Sequence, residues 1–227
     1  MITVHHLNNS RSQRVLWLLE ELGVAYEIRR YERDPKTMLA PAALRAVHPL
    51  GKSPVITDGT RTIAESGAII EYLVEGYDAA AALQPPSGSE DRLRYRYWLH
   101  YAEGSAMFPL LLKLVFDRIV SAPMPFFVRP VAKAIAGGVG KSYIQPQIAL
   151  HLDFLEAELA ASDWFAGAGF SAADIQMSFP LEAAAVRSGL DERYPRLADF
   201  LRRIHARPAY QRALQRGGEY AFASPDR

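Results

Sequence analysis

The chain has 227 residues, with 26 Lys and Arg against 25 Asp and Glu. A net charge of +1 excludes the strongly basic balance expected of a nucleic-acid or acidic-membrane binder. Apolar residues make up 49% of the chain and charged residues 22%, enough for a core beneath a soluble surface. Cysteine is absent, so disulfides, thiolate zinc sites and thiol chemistry on the protein's own side chains are excluded. The apolar run MFPLLLKLVF is too short for a membrane span and carries Pro109 and Lys113. No basic stretch leads into an apolar run near Met1, so no secretory signal is expected and the cytoplasm is the expected compartment.

In chain order, ITVHHL, AYEIRRY and SPVITD read as strands, and Thr62 to Ala64 as a brief fourth. A helix is expected from about Ser12 to Leu22, and a turn-rich piece, DPKTMLAPAALRAVHP, separates the second and third strands. The helix ESGAIIEYLVEGY closes a unit of about 78 residues with the plan βαβαββα, an α+β architecture. The stretch AAAALQPPSGSED then reads as a connector, with Ser87 and Glu90 spaced as a capping box for the next helix. Domain 1–78, linker 79–89 and an all-helical domain 90–227 follow from this pattern.

Beyond Glu90 every element reads as helix. RYRYWLHYAEGSAMFPLLLKLVF is long and amphipathic, and SAPMPFFVRPVAKAIAGGVG breaks it with prolines and glycines. Helices resume at SYIQPQIALHLDFLEAELAA, SAADIQMSFPLEAAAVRSG and YPRLADFLRRIHARPAY. Ser171 and Asp174 are spaced as reciprocal partners of a helix cap, with Phe170 and Ile175 placed as a hydrophobic staple. His5 and His6 are adjacent on a strand and face opposite sides, so they cannot chelate together. Six histidines without chelating spacing, and no cysteine, predict no metal.

Three stretches carry a family resemblance: NNSRSQRVLWLLEELG, HPLGKSPVITDGTRTIAESGAIIEYL and FSAADIQMS. In this order and spacing the chain resembles the cytosolic glutathione transferases along essentially its whole length. The resemblance implies a thioredoxin-like N-terminal domain that binds glutathione, a helical domain that contributes the electrophile pocket, and a homodimer. It also implies activation of the glutathione thiol for conjugation to small electrophiles, with reduction of organic hydroperoxides as a related activity. A non-catalytic binding or assembly module of the same fold is the competing reading, and an intact site argues for the enzyme. The cysteine-type mechanism of some relatives has no residue here to run it.

Glutathione has a carboxylate at each end, an amino group and a thiol, and the residues can be matched to those needs. Glu65 and Ser66 stand before a helix whose N-terminus suits the γ-glutamyl carboxylate, with Glu65 available to the amino group. An N-cap is the plain alternative for Ser66. In GKSPV the resemblance implies a cis bond before Pro54, which turns the backbone of Ser53 toward the cysteinyl part as an added strand would. Lys52 is placed for the glycyl carboxylate. His48, where the family has asparagine, is expected to support the turn, and Ser53 replaces the usual valine.

Ser10 matches the serine of serine-type relatives and is the expected thiolate stabiliser, with Asn9 as its rival and Arg11 adding positive potential. Ser10 is also spaced as the N-cap of a capping box with Gln13. Ser12, about 200° around a helix from it, is expected to point away. By resemblance the electrophile pocket lies between the domains, where Tyr97, Tyr101, Met107 and Phe108 are the candidates.

Overall fold

The computed structural model describes residues 1–188 and 190–223. β1 (Ile2–Leu7) is an interior strand, buried at every position except the half-buried Thr3. It pairs in parallel with β2 (Tyr26–Tyr31) and antiparallel with β3 (Val55–Asp58), to which β4 (Arg61–Ala64) is added antiparallel, giving the order β2-β1-β3-β4. A parallel pair needs a crossover, and α1 (Ser12–Leu22) supplies it. Gly23, at φ 65°, ends that helix in the left-handed region, its N–H donating to the Leu19 carbonyl. The two buried histidines of β1 do face opposite ways. His5 Nδ1 meets the Tyr31 hydroxyl at 2.9 Å, and His6 Nδ1 meets Ser12 Oγ at 2.8 Å. The turn-rich piece holds only the short α2 (Ala42–Arg45), and α3 (Ser66–Tyr77) completes the α+β unit.

α4 (Glu90–Tyr101) is capped by Ser89, whose Oγ accepts the Arg92 N–H at 3.1 Å. The expected Ser87 lies two residues too far out, because the orphan donors belong to the first turn alone. A π-helical turn over Ala102–Ala106 joins α4 to α5 (Met107–Ser121). The break expected across residues 121–140 is confined to 122–128. α6 (Arg129–Val139) follows, with Pro130 in the first turn, where a missing N–H costs nothing. A second π turn (Gly140–Ile144) leads into α7 (Gln145–Ala161), and α8 (Ala172–Ser188), α9 (Pro195–His205) and α10 (Pro208–Gly217) complete the helical part.

α8 is the hub of that part, buried at every residue from Ala172 to Ala184. Its start is fixed as expected: the Ser171 N–H and hydroxyl donate to the Asp174 carboxylate at 2.8 and 3.1 Å. α10 returns to pack on α1, so closely that a Cβ on Gly217 would stand 2.7 Å from Gln13 Oε1. Ion pairs of Arg207 with Glu21, and of Arg212 and Arg216 with Glu20, reinforce that contact. One apolar core therefore runs from the sheet through α1 into the helices, and the site lies along this seam.

Candidate active site

Ser10 sits in the turn between β1 and α1, buried apart from the atoms that face the cleft. Asn9 before it adopts φ 49°, and its Oδ1 accepts the Ala221 N–H at 2.8 Å, tying this turn to the C-terminal segment. The capping box with Gln13 does not form. Ser10 Oγ accepts the Ser12 N–H at 3.2 Å, and the Gln13 amide is buried with no hydrogen-bond partner. The expectation that Ser12 points away is also overturned. Ser10 Oγ and Ser12 Oγ are 2.7 Å apart, because Ser10 lies outside the helix and the 100° per residue step does not apply to it.

The two serines open a buried chain that ends at His6. Burial, with Arg30 nearby, pushes the His6 imidazole down to about 4 against a bond from the Gly217 carbonyl, so the ring is neutral near pH 7. Ser10 Oγ, Ser12 Oγ and His6 Nδ1 are thus linked in series, at 2.7 and 2.8 Å. Ser53 Oγ is 3.4 Å from Ser10 Oγ and itself donates to the His5 carbonyl at 3.0 Å. The serine that replaces the family's valine is thus bonded to the same loop.

A cavity of about 190 Å³ opens beside Ser53 and brings Arg11, Lys52, Ser53, Pro54, Glu65 and Ser66 together, with His48 and Glu103. The Ser53–Pro54 bond is cis. Glu65 stands at φ 68°, unusual for a residue with a Cβ, and its exposed carboxylate borders the cavity. Ser66 is the first helical residue of α3 and not its cap. Its hydroxyl oxygen accepts from Arg14 at 3.1 Å and Gln176 at 3.3 Å, leaving its proton available to the cavity.

Arg14, Glu103 and Gln176 are site residues that the sequence reading missed. Arg14 is almost fully buried and donates to Ser66, to Glu103 and to the Gln176 main-chain carbonyl. That carbonyl is free because Pro180, four residues on, has no N–H to return. A proline inside a helical run and an arginine amid the apolar residues of α1 were the available signals. Glu103 also accepts from Arg11 Nε at 2.8 and 2.9 Å. Burial by itself raises the Glu103 carboxyl, but the Arg14 and Arg11 charges outweigh it and hold it below the ordinary range. Glu103 is thus shared between Arg11 and Arg14, which leaves this trio with a net positive charge. His48, expected only to support the turn, lines the cavity, and its Nδ1 is buried without a partner among the described residues.

Next to this cavity a cleft of about 560 Å³ shares Arg11, Leu50, Lys52 and Ser53 with it and contains Asn9 and Ser10. Of the expected electrophile residues, Met107 lines it. Tyr97, Tyr101 and Phe108 do not. Tyr101 is buried against His151, its hydroxyl 2.5 Å from Nδ1, and Tyr97 stacks on Tyr101 at 5.5 Å. Phe108 is exposed. Tyr97 and Tyr101 lie on α4 before the π turn, and Phe108 is about 100° around α5 from Met107. Leu111, Leu114, Phe179 and Phe222 line the cleft instead. Among the described residues no cluster of three or more His, Asp or Glu could hold a metal, and no helix is long and apolar enough to cross a membrane.

A thioredoxin-like α+β domain with a four-stranded mixed sheet, joined to a helical domain with the cleft between them, defines a class that the comparisons identify. Residues 10–75 match the glutathione S-transferase N-terminal domain and residues 132–203 the C-terminal domain. Glutathione S-transferase 3 of Schizosaccharomyces pombe is 38% identical over 218 residues, covering 95% of this chain and 88% of the relative. A crystal structure of a glutathione S-transferase from Actinobacillus pleuropneumoniae aligns with TM-score 0.79 at 32% identity, covering 98% and 96% of the two chains. A sphingomonad glutathione S-transferase complexed with glutathione aligns with TM-score 0.72 at 28% identity, covering 95% and 98%. The chain belongs to the glutathione S-transferase family.

Proposed function

We propose that the protein binds glutathione in the smaller cavity and uses its thiolate to attack small electrophiles held in the adjoining cleft. The observation that carries this reading is the convergence of Lys52, Ser53, Glu65 and Ser66 on one cavity that shares a wall with the Ser10 cleft. The glycyl carboxylate pairs with Lys52, the peptide middle lies along Ser53, and the γ-glutamyl end meets Ser66 and the N-terminus of α3. The glutathione bound in the sphingomonad relative supports the choice of ligand. We assign residues 1–78 to glutathione binding, 79–89 to the linker and 90–227 to the helical domain.

A thiol near its ordinary pKa of about 8.5 is only a few per cent ionised at neutral pH. Lowering it by two units takes about 2.7 kcal/mol of preferential stabilisation of the thiolate. A hydroxyl bond to an anion contributes about 1.5–3 kcal/mol, and a helix N-terminus about 0.3–1 more. Ser10 supplies the first and α1 the second. The Ser10 hydroxyl donates to the thiolate, while the Ser12 N–H continues to donate to Ser10 Oγ. Asn9 is the rival donor: Ala221 engages its oxygen and not its Nδ2–H groups.

Conjugation forms one S–C bond, expels the leaving group and releases the thiol proton to water. The same thiolate attacking a hydroperoxide gives the alcohol, water and, with a second glutathione, the disulfide. The test is a panel of electrophiles and hydroperoxides with glutathione, alongside calorimetry. Saturable glutathione binding with turnover on the panel is expected, and no saturable binding at millimolar glutathione overturns the reading. A cytoplasmic homodimer is part of the proposal; light scattering at the single-chain mass of 25.3 kDa would count against the dimer.

A further inference from the structure

We propose that the cleft beside Ser10 selects an electrophile that carries an oxyanion, in the simplest case a carboxylate, at the far end of an apolar body. This rests on the glutathione reading and names the class of the second substrate.

The cleft is lined by Arg11, Arg33, Arg45, Lys52, Arg118 and Arg187, and by no aspartate or glutamate among the described residues. The chain as a whole carries a net charge of +1, so this concentration of one sign is local. Two of these cations have other employment, Arg11 bonded to Glu103 and Lys52 bordering the smaller cavity for the glycyl carboxylate, and the exposed Arg45 packs by its stem against Gly51. Arg33, Arg118 and Arg187 remain, contributed by the loop after β2, by α5 and by the end of α8.

No carboxylate among the described residues pairs with these three. Asp117, next to Arg118, is held by Lys113 at 2.9 Å. Arg33 donates to the Met38 carbonyl, and Arg187 lies over the Phe222 ring at 5.3 Å. Burial first, and then the charges of Arg11 and Arg118, disfavour the protonated forms of both Arg33 and Arg187. The half-buried Arg33 and Arg187, each repelled by Arg11 and by the exposed Arg118, form with them a site whose field is relieved by a bound anion.

Apolar walls separate that charge from Ser10. Met107, Leu111, Leu114 and Arg118 all line the cleft, and their spacing puts them on one face of α5. Met107 follows directly on the π turn that holds Glu103, the partner of Arg11, whereas Arg118 is about 16 Å farther along the axis. Phe179 and Phe222 complete the walls. A ligand reaching from the sulfur to the arginines is thus apolar in its middle and negative at its end.

The test compares binding of S-(4-carboxybenzyl)glutathione, S-benzylglutathione and the neutral isostere S-(4-carbamoylbenzyl)glutathione by calorimetry, with glutathione as reference. The carboxylate conjugate is expected to bind at least about tenfold more tightly than both neutral conjugates at low salt. That advantage should shrink as ionic strength rises. It should also fall to about twofold or less in the double variant Arg118→Gln, Arg187→Gln. Equal affinities in the wild-type protein, an advantage insensitive to salt, or one that survives in the folded double variant overturns the inference. Glutathione binding without any charge preference removes this inference alone, whereas no glutathione binding removes it together with the reading on which it rests.

Discussion

The smaller cavity takes most of its walls from one segment, His48 to Ser66, held by strand pairing of β3 and β4 and by the start of α3, with Arg11 and Glu103 added from outside it. Its neighbour draws its walls from β1, the loop after β2, α5, α8 and the C-terminal segment. The first combines short polar contacts with a helix N-terminus. The second combines an apolar stripe with a cluster of arginines that no carboxylate among the described residues pairs. A segment local in sequence can hold a fixed ligand with few degrees of freedom, whereas a surface gathered from distant elements can be varied without disturbing it. Such a division suits one constant and one variable substrate.

Arg14 is the point where the two regions are joined, and removing it should have the largest effect. Arg14→Met leaves the Glu103 charge and the Gln176 carbonyl short of a partner, and a loss of about 3–5 kcal/mol is expected in urea unfolding. Near-wild-type stability would mean that the two domains are held without this hub.

Ser10→Ala should reduce turnover by about 10- to 100-fold, or about 1.4–2.8 kcal/mol. Titration of the bound thiolate should show its pKa raised. An unchanged titration in Ser10→Ala, with a shift in Asn9→Ala, would move the role to the asparagine.

On the side of the smaller cavity, Glu65→Ala and Ser66→Ala should each weaken glutathione binding by about 1–3 kcal/mol. Ser66→Ala should also lower the unfolding midpoint, since its oxygen accepts from Arg14 and Gln176, while exposed Glu65 should not. Wild-type affinity in both variants would put the ligand elsewhere.

The smallest effect concerns pH. His6 has a folded pKa of about 4 against an ordinary 6.5, so the folded protein binds fewer protons in that window. Stability therefore falls as pH drops from about 6.5 toward 4. Asp174 runs the other way, its carboxyl raised to about 6 by burial against its hydrogen bonds, so the folded state binds more protons between the ordinary 3.8 and 6. The two slopes oppose one another below pH 6. In His6→Gln the acid loss should be reduced, and unchanged denaturation curves between pH 4 and 6.5 would show that His6 is not the group responsible.

The sequence by itself determined the alternating strands and the long helical runs, because each is a local preference of the chain, whereas Pro130, read as part of a break, opens a helix. It also marked Ser10, Lys52, Ser53, Pro54, Glu65 and Ser66, whose spacing lies within short loops and helix starts. Tertiary structure decided what depends on helix phase and on contacts between distant elements. Packing within the helical part keeps Tyr101 against His151 and Tyr97 on Tyr101, and Phe108 lies on another face of α5 from Met107. A turn outside the helix brought Ser12 against Ser10. Pro180 freed a carbonyl for Arg14, and arginines from the loop after β2, α5 and α8 met around one cleft. Periodicity reads along one element at a time, and charge that converges from three of them has no signature in any one.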